Sequence, residues 1–199
     1  MASNTAAATA RLSARATSAT TPPDDTIVTT TDRPVSGAAD VVRVQTAEEM
    51  EHAVLSRSDA CEVVVMAAAV ADFRPASAAD RKIKKGAGAP ELVLVPTTDI
   101  LAALGAQRRP GQTIVGFAAE TDDVVDNARE KLARKGADLI VANDVGAPGV
   151  GFEHDTNQVL IISASGMEHD VALTGKREIA RAVLDAALAE RLGSSGSQS

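Results

Sequence analysis

Aromatic side chains are nearly missing from this chain of 199 residues, which has three phenylalanines, no tyrosine and no tryptophan. A core must therefore be built from Val, Ile, Leu and Ala, which favours helices packed on a parallel sheet over a β-sandwich. Cys61 is the only cysteine, so an internal disulfide is excluded and a reducing, cytoplasmic setting is expected. It stands at the start of an apolar run, the place of a buried structural thiol rather than a nucleophile. His52, His154 and His169 are far apart and carry no local ligand spacing, which argues against a histidine-built metal site. No apolar run approaches the roughly 20 residues of a membrane-spanning helix. The formal charge of -7 repels polyanions, so neither nucleic acid nor an anionic membrane is an expected partner. Any phosphate must be held locally, and Arg81, Lys82, Lys84 and Lys85 form the densest positive cluster.

The length suits one domain with a substantial core. Residues 1–24 are mostly Ala, Thr and Ser, with Arg11 and Arg15 and no acid before Asp24, and have no sustained period. A disordered tail is expected there; the composition is also that of an organelle transit peptide, without its amphipathic face. Residues 25–192 form the expected folded domain, and 193–199 a flexible tail. Within the domain, β-type runs cover 26–30 and 41–44, and Thr46 with Glu49 has capping-box spacing for a helix to about Ser58. Strands follow at 62–66 and 92–95, and Asp99 can cap a short helix to about Leu104. Another strand covers 113–117, and a helix from about Asp123 repeats Val124, Ala128 and Leu132 until Gly136. A strand over 138–142 precedes a hairpin around Ser165-Gly166, and a last helix spans 175–192 with Ile179, Val183, Ala186 or Ala187, and Leu188 inward. This alternation predicts an α/β fold, Rossmann-like and doubly wound, with a mostly parallel sheet and an antiparallel edge hairpin.

One stretch carries more chemistry than a connector needs. The apolar run Glu62-Val63-Val64-Val65-Met66 leads into Ala67-Ala68-Ala69-Val70-Ala71-Asp72-Phe73-Arg74-Pro75, and Lys82-Ile83-Lys84-Lys85 begins eight residues after Arg74. In open α/β sheets ligands bind where strands end, so small residues, then a carboxylate, then lysines read as a site for a phosphorylated ligand. A solvated loop with a charged turn has the same spacing. Phe117 ends one strand and could pack on a base or ribose, or serve as core. Asn143-Asp144 end another and could bond a ligand edge or cap a turn. Lys131 and Lys135 are a like-charge pair four apart, which an anion between them would make favourable.

Four of these segments together resemble phosphopantothenate-cysteine ligase (phosphopantothenoylcysteine synthetase), the second half of the bacterial bifunctional coenzyme A flavoprotein. They are 67–75, 82–85, Val115-Gly116-Phe117-Ala118-Ala119-Glu120-Thr121, and 138–145, and the resemblance runs from about Ile27 to Leu192. It implies a homodimeric nucleotide-binding ligase of coenzyme A biosynthesis, with CTP, magnesium, 4'-phosphopantothenate and L-cysteine as its small molecules. An acyl-cytidylate forms and the amine of cysteine displaces CMP to give 4'-phosphopantothenoylcysteine. Carried over by position, Met66, Ala67, Ala68, Asp72, Lys82, Thr98, Asp99, Ile100, Leu101, Phe117, Lys131 and Lys135 contact the nucleotide. Lys82 is the catalytic candidate, neutralising phosphate charge during transfer. Ala69, Lys84, Lys85, Asn143 and Asp144 are candidates for substrate contact, and no protein side chain is assigned to a metal.

The opening departs from that family, whose members begin with a strand, a Gly-rich loop and a helix carrying a catalytic asparagine. Here the first glycine is Gly37, Asn4 is the only upstream asparagine, and Thr97-Thr98 replace Asn-Pro before Asp99. A non-catalytic or partner-dependent nucleotide-binding paralogue is therefore the alternative. A nicotinamide oxidoreductase fits worse, since the chain lacks both tyrosine and a Gly-x-Gly-x-x-Gly after its first strand.

Overall fold

The computed structural model describes residues 9–14, 25–32, 39–77, 92–120, 123–144 and 156–196. Eight strands form one sheet: β1 (Thr9–Ala14), β2 (Asp25–Thr29), β3 (Asp40–Arg43), β4 (Cys61–Met66), β7 (Thr113–Glu120), β8 (Leu139–Asp144), β9 (Thr156–Ser163) and β10 (Glu168–Gly175). Their order across it is β10-β9-β8-β7-β4-β1-β2-β3. A separate two-stranded ribbon pairs β5 (Phe73–Pro75) with β6 (Leu94–Pro96). The helices are α1 (Ala47–Ser58), α2 (Ile100–Gln107), α3 (Val124–Lys135) and α4 (Lys176–Gly196).

The sheet's centre is parallel. Val63 to Met66 lie beside Thr113 to Gly116, and Val115 to Glu120 beside Leu139 to Asp144. Alternate residues point to opposite faces, and both faces are covered. Ile114 and Ile140 pack beneath α1, α2 and α3 with Val54 and Val64, whereas Val115, Val141 and Ile161 pack with Ile179 and Val183 of α4. Burial on both faces explains why these strands read as unbroken apolar runs. The expected α/β class and the β9–β10 edge hairpin are both present, with Glu168 opposite Ile162.

Caps set the helix limits. At α1 the Glu49 N–H donates to Thr46 Oγ1 at 3.1 Å, and the Thr46 N–H donates back to Glu49 Oε2 at 3.3 Å, the reciprocal capping box expected from the spacing. α3 stops at Gly136, whose φ of 62° is the left-handed conformation that glycine adopts without a Cβ penalty.

Three expectations are corrected. Within the segment expected to be a disordered tail, β1 inserts antiparallel between β2 and β4, so the sheet is mixed. Those two strands would otherwise leave unpaired backbone edges in mid-sheet, and six residues suffice to satisfy them. α4 continues through Gly196, past the expected end at Leu192. Leu188 is exposed, because at about 100° per residue it falls opposite Ile179 on the helix.

Candidate functional site

Two glycines let α2 act as a wedge. A Cβ on Gly116 would lie 2.4 Å from Leu101 Cδ2, and one on Gly105 would lie 2.0 Å from the backbone oxygen of Lys135. The start of α2 therefore sits directly on β7, while its middle lies against the end of α3. Beyond the carboxyl end of β4, Thr97 joins two loops: its hydroxyl donates to the Ala71 carbonyl, and its N–H donates to the Asp72 carbonyl at 2.9 Å. The Arg74 guanidinium meets Glu48 at 2.7 Å and ties the β5–β6 ribbon to α1.

Beside these contacts lies a half-open cavity of about 740 Å³ at the carboxyl ends of β4 and β7. Met66, Ala68, Ala69 and Asp72 line it from β4 and the loop after it. Thr98 to Leu101 line it from the start of α2, Phe117 from β7, and Lys131 and Lys135 from α3. Eleven residues named from the sequence are thus brought to one wall-to-wall space. Small side chains after Met66 leave the backbone approachable, and the volume falls in the range of small-molecule sites.

The charges are arranged in pairs. The Lys135 ammonium donates to Asp99 Oδ2, and the Lys131 ammonium to Glu120 Oε1 at 2.6 Å. Asp99 also caps α2, accepting from the Ala102 N–H at 3.0 Å. Burial alone would raise the Asp99 pKa, but the Lys135 hydrogen bond, the Ala102 N–H and the charges of Lys135 and Arg134 outweigh it and hold the carboxyl below its usual range. Three cations, Lys131, Arg134 and Lys135, stand on one side of the cavity, which suits a polyanion entering between them.

Ala67 and Asn143 do not line this space. Asn143 is instead the residue beside Ala119 in the ladder, with its Oδ1 buried and lacking a hydrogen-bond partner. Lys82, Lys84 and Lys85, and the side chain of Asp144, lie outside the described residues. Arg134, Thr97 and Glu120 were given no site role from the sequence. Arg134 sits between the two named lysines, so a basic count over that helical turn would have found it; the roles of Thr97 and Glu120 depend on contacts across the chain. Among the described residues no group of three or more His, Cys, Asp or Glu side chains converges for a metal.

Comparison with known proteins places the chain in a family. Residues 6–190 match the DNA/pantothenate metabolism flavoprotein C-terminal domain, and the chain belongs to that family. It is 45% identical over 164 residues to the coenzyme A biosynthesis bifunctional protein CoaBC of Bacillus subtilis (strain 168), covering 81% of this chain and 40% of that protein. It is 43% identical over 152 residues to a cysteine/cysteine sulfinic acid decarboxylase of an unknown prokaryotic organism, covering 76% of this chain and 42% of that one. The crystal structure of the C-terminal domain of a CoaBC superposes with a TM-score of 0.61 at 33% identity, covering 75% of this chain and 64% of that one. The chain is therefore homologous to the C-terminal part of CoaBC, as its motifs indicated, and spans about two-fifths of the length of these curated relatives.

Proposed function

We propose that this chain is a CTP-dependent ligase that condenses 4'-phosphopantothenate with L-cysteine in coenzyme A biosynthesis. The observation that carries the reading is the convergence of Asp72, Asp99, Phe117, Lys131 and Lys135 on one cavity at the carboxyl ends of the parallel strands. A carboxylate is a poor electrophile, so its oxygen attacks the α-phosphorus of CTP and pyrophosphate leaves. The amine of cysteine then attacks the acyl carbon, CMP leaves, and an amide forms. Lys131, Arg134 and Lys135 supply fixed positive charge where the phosphates bear most negative charge, and the cavity holds both reactants close. Magnesium, brought in on the phosphates, would neutralise their charge; it keeps several waters and takes only one or two carboxylates. Asp72, which lines the cavity, fits that demand; Asp99 is already engaged by Lys135 and the Ala102 N–H. Lys82 is assigned the transfer step, and the cytoplasm is the proposed location.

A homodimer is part of the reading. Phe73, Leu92, Val93 and Leu94 are 61%, 67%, 57% and 52% exposed on and beside the β5–β6 ribbon, an apolar strip of the kind that a second copy covers. Sedimentation of the purified chain should give twice the monomer mass, and Val93→Glu should return it to monomer.

The direct test is release of pyrophosphate with CTP, 4'-phosphopantothenate and cysteine. Sustained release requiring all three, with CMP appearing in equal amount and at most one pyrophosphate per site when cysteine is withheld, is expected; no release at any enzyme concentration would remove the activity. A second reading, a partner-dependent or non-catalytic nucleotide-binding relative, is favoured by the direction of β1. Running antiparallel to β4, it cannot deliver a loop from its carboxyl end to the cavity. CTP binding without turnover, with turnover restored by a second chain, would establish that reading instead.

A further inference from the structure

Glu120 closes β7 with both carboxylate oxygens engaged by α3. Lys131 Nζ donates to Oε1 at 2.6 Å, and Asn127 Nδ2 donates to Oε2 at 3.2 Å. Asn127 and Lys131 are four apart and share one helix face, so a single carboxylate grips successive turns. The Glu120 side chain is 11% exposed and that of Lys131 32%; Lys131 lines the cavity and Glu120 is not among the lining residues, and salt screens so buried a pair less than one in open solvent. The start of α3 is set by Asp123, whose φ of 46° is left-handed and whose carbonyl accepts from the Asn127 N–H at 3.0 Å.

Lysine carries its charge on a flexible stem and loses much rotamer freedom when an anion captures it. A lysine already held loses less at binding, which is preorganisation. Its ammonium has three donors, so one can stay on Glu120 while the others meet phosphate oxygens. We infer that Glu120 is a positioning residue: together with Asn127 it holds the Lys131 ammonium in place for the phosphates of the bound nucleotide. The inference rests on the nucleotide reading above.

A carboxylate beside a phosphate site acts in two opposed ways. Its charge repels the phosphates, and its hold on Lys131 orders the cation; removing it therefore tightens binding if charge dominates and weakens binding if positioning dominates. The experiment combines acetic anhydride footprinting of Lys131, read by mass spectrometry, with CTP titration of the whole chain. In Glu120→Ala, Lys131 should be acylated several-fold faster and CTP should bind about tenfold more weakly. Glu120→Gln keeps an oxygen to accept from Lys131, and its NH2 can donate to the Asn127 oxygen once the Asn127 amide turns over, so it should stay within about twofold of wild type on both. Glu120→Asp keeps the charge but withdraws it from Lys131; weaker CTP binding there supports positioning even if the alanine variant folds poorly. Unchanged Lys131 reactivity in Glu120→Ala, or tighter CTP binding in either shortened variant, overturns the role of Glu120. Failure of saturating CTP to protect Lys131 in the wild-type chain is a different result: it overturns the nucleotide reading and the ligand assigned to Lys131.

Discussion

Lys131 and Lys135 would repel one another across one helical turn if each were not met by a carboxylate from another element. The partner of Lys135 is Asp99, whose carboxyl is held below its usual range by the causes given above. A depressed acid stabilises the fold above its unfolded pKa, and that contribution is lost as pH falls through the folded value. The stability gap between wild type and Asp99→Asn should therefore be widest near neutrality and close on acidification below the ordinary carboxylate range. Urea unfolding midpoints measured from pH 7 down to about 3 will show this; since Asn caps a helix as well as Asp, a gap independent of pH would mean that the Asp99 charge contributes nothing to stability. Cys61 titrates in the opposite sense. Its thiol is pushed up to about 11 by burial, against the lowering effect of Arg109, and its Sγ donates to the Arg57 carbonyl at 3.2 Å. Stability from the neutral thiol is complete below pH 9 and is lost as pH climbs toward 11. Cys61 should thus resist thiol reagents at pH 8 until the chain unfolds, and Cys61→Ser should flatten the alkaline limb of the stability profile.

At the scale of elements, close backbone approach does what no side chain can. Gly105 lets α2 touch the end of α3 at the Lys135 carbonyl, so Gly105→Ala must push a backbone rather than a flexible side chain. The expected cost is about 3 kcal/mol, seen as a lower unfolding midpoint, together with weaker CTP binding because Lys135 moves with its helix. Gly116→Ala meets the tip of Leu101 instead; a side chain can turn aside, so a smaller stability loss and a reshaped cavity are expected. A loss at Gly105 no larger than at Gly116 would contradict this. Neither contact was readable in the sequence, where both glycines are ordinary interruptions in apolar segments. Caps were readable: Thr46 with Glu49, Asp99 before Ile100, and Gly136 after Lys135 each solve a local hydrogen-bonding problem, and local problems have local signatures. Of the cavity residues, Asp72 and Phe117 were legible as residues at or just after strand ends and Lys131 with Lys135 as a like-charge pair on one helix, whereas Met66, Ala68 and Thr98 to Leu101 came only through the family resemblance. Glu120 was not legible, because its meaning depends on Asn127 and Lys131 across a turn, and Thr97 draws its role from the carbonyls of Ala71 and Asp72. Leu188 was misplaced by extending an apolar stripe one position too far around the helix.

For the whole molecule, the decisive feature is β1, the strand least visible in the sequence. Its composition is that of an unstructured segment; its place in the sheet is determined by neighbours that are distant in the chain, the edges of β2 and β4. With a partner on each side it is a central strand, and each of its backbone N–H groups points at one neighbour or the other. Proline cannot donate and is confined to edges and bulges. Leu12→Pro should therefore leave an unsatisfied acceptor and a broken ladder, costing about 1–3 kcal/mol from the orphaned group alone, whereas a proline in a disordered tail would cost nothing. Hydrogen exchange gives the complementary measurement: amides of β4 should be protected in wild type and should exchange faster in the proline variant, while those of β9 and β10 stay slow. The consequence reaches the cavity, because β4 carries Met66 and leads into the Ala68, Ala69 and Asp72 segment that lines it. CTP binding should weaken along with β4 protection. If Leu12→Pro left both the unfolding midpoint and β4 exchange unchanged, β1 would have no place in the sheet, and β2 and β4 would have to satisfy their facing edges in another way.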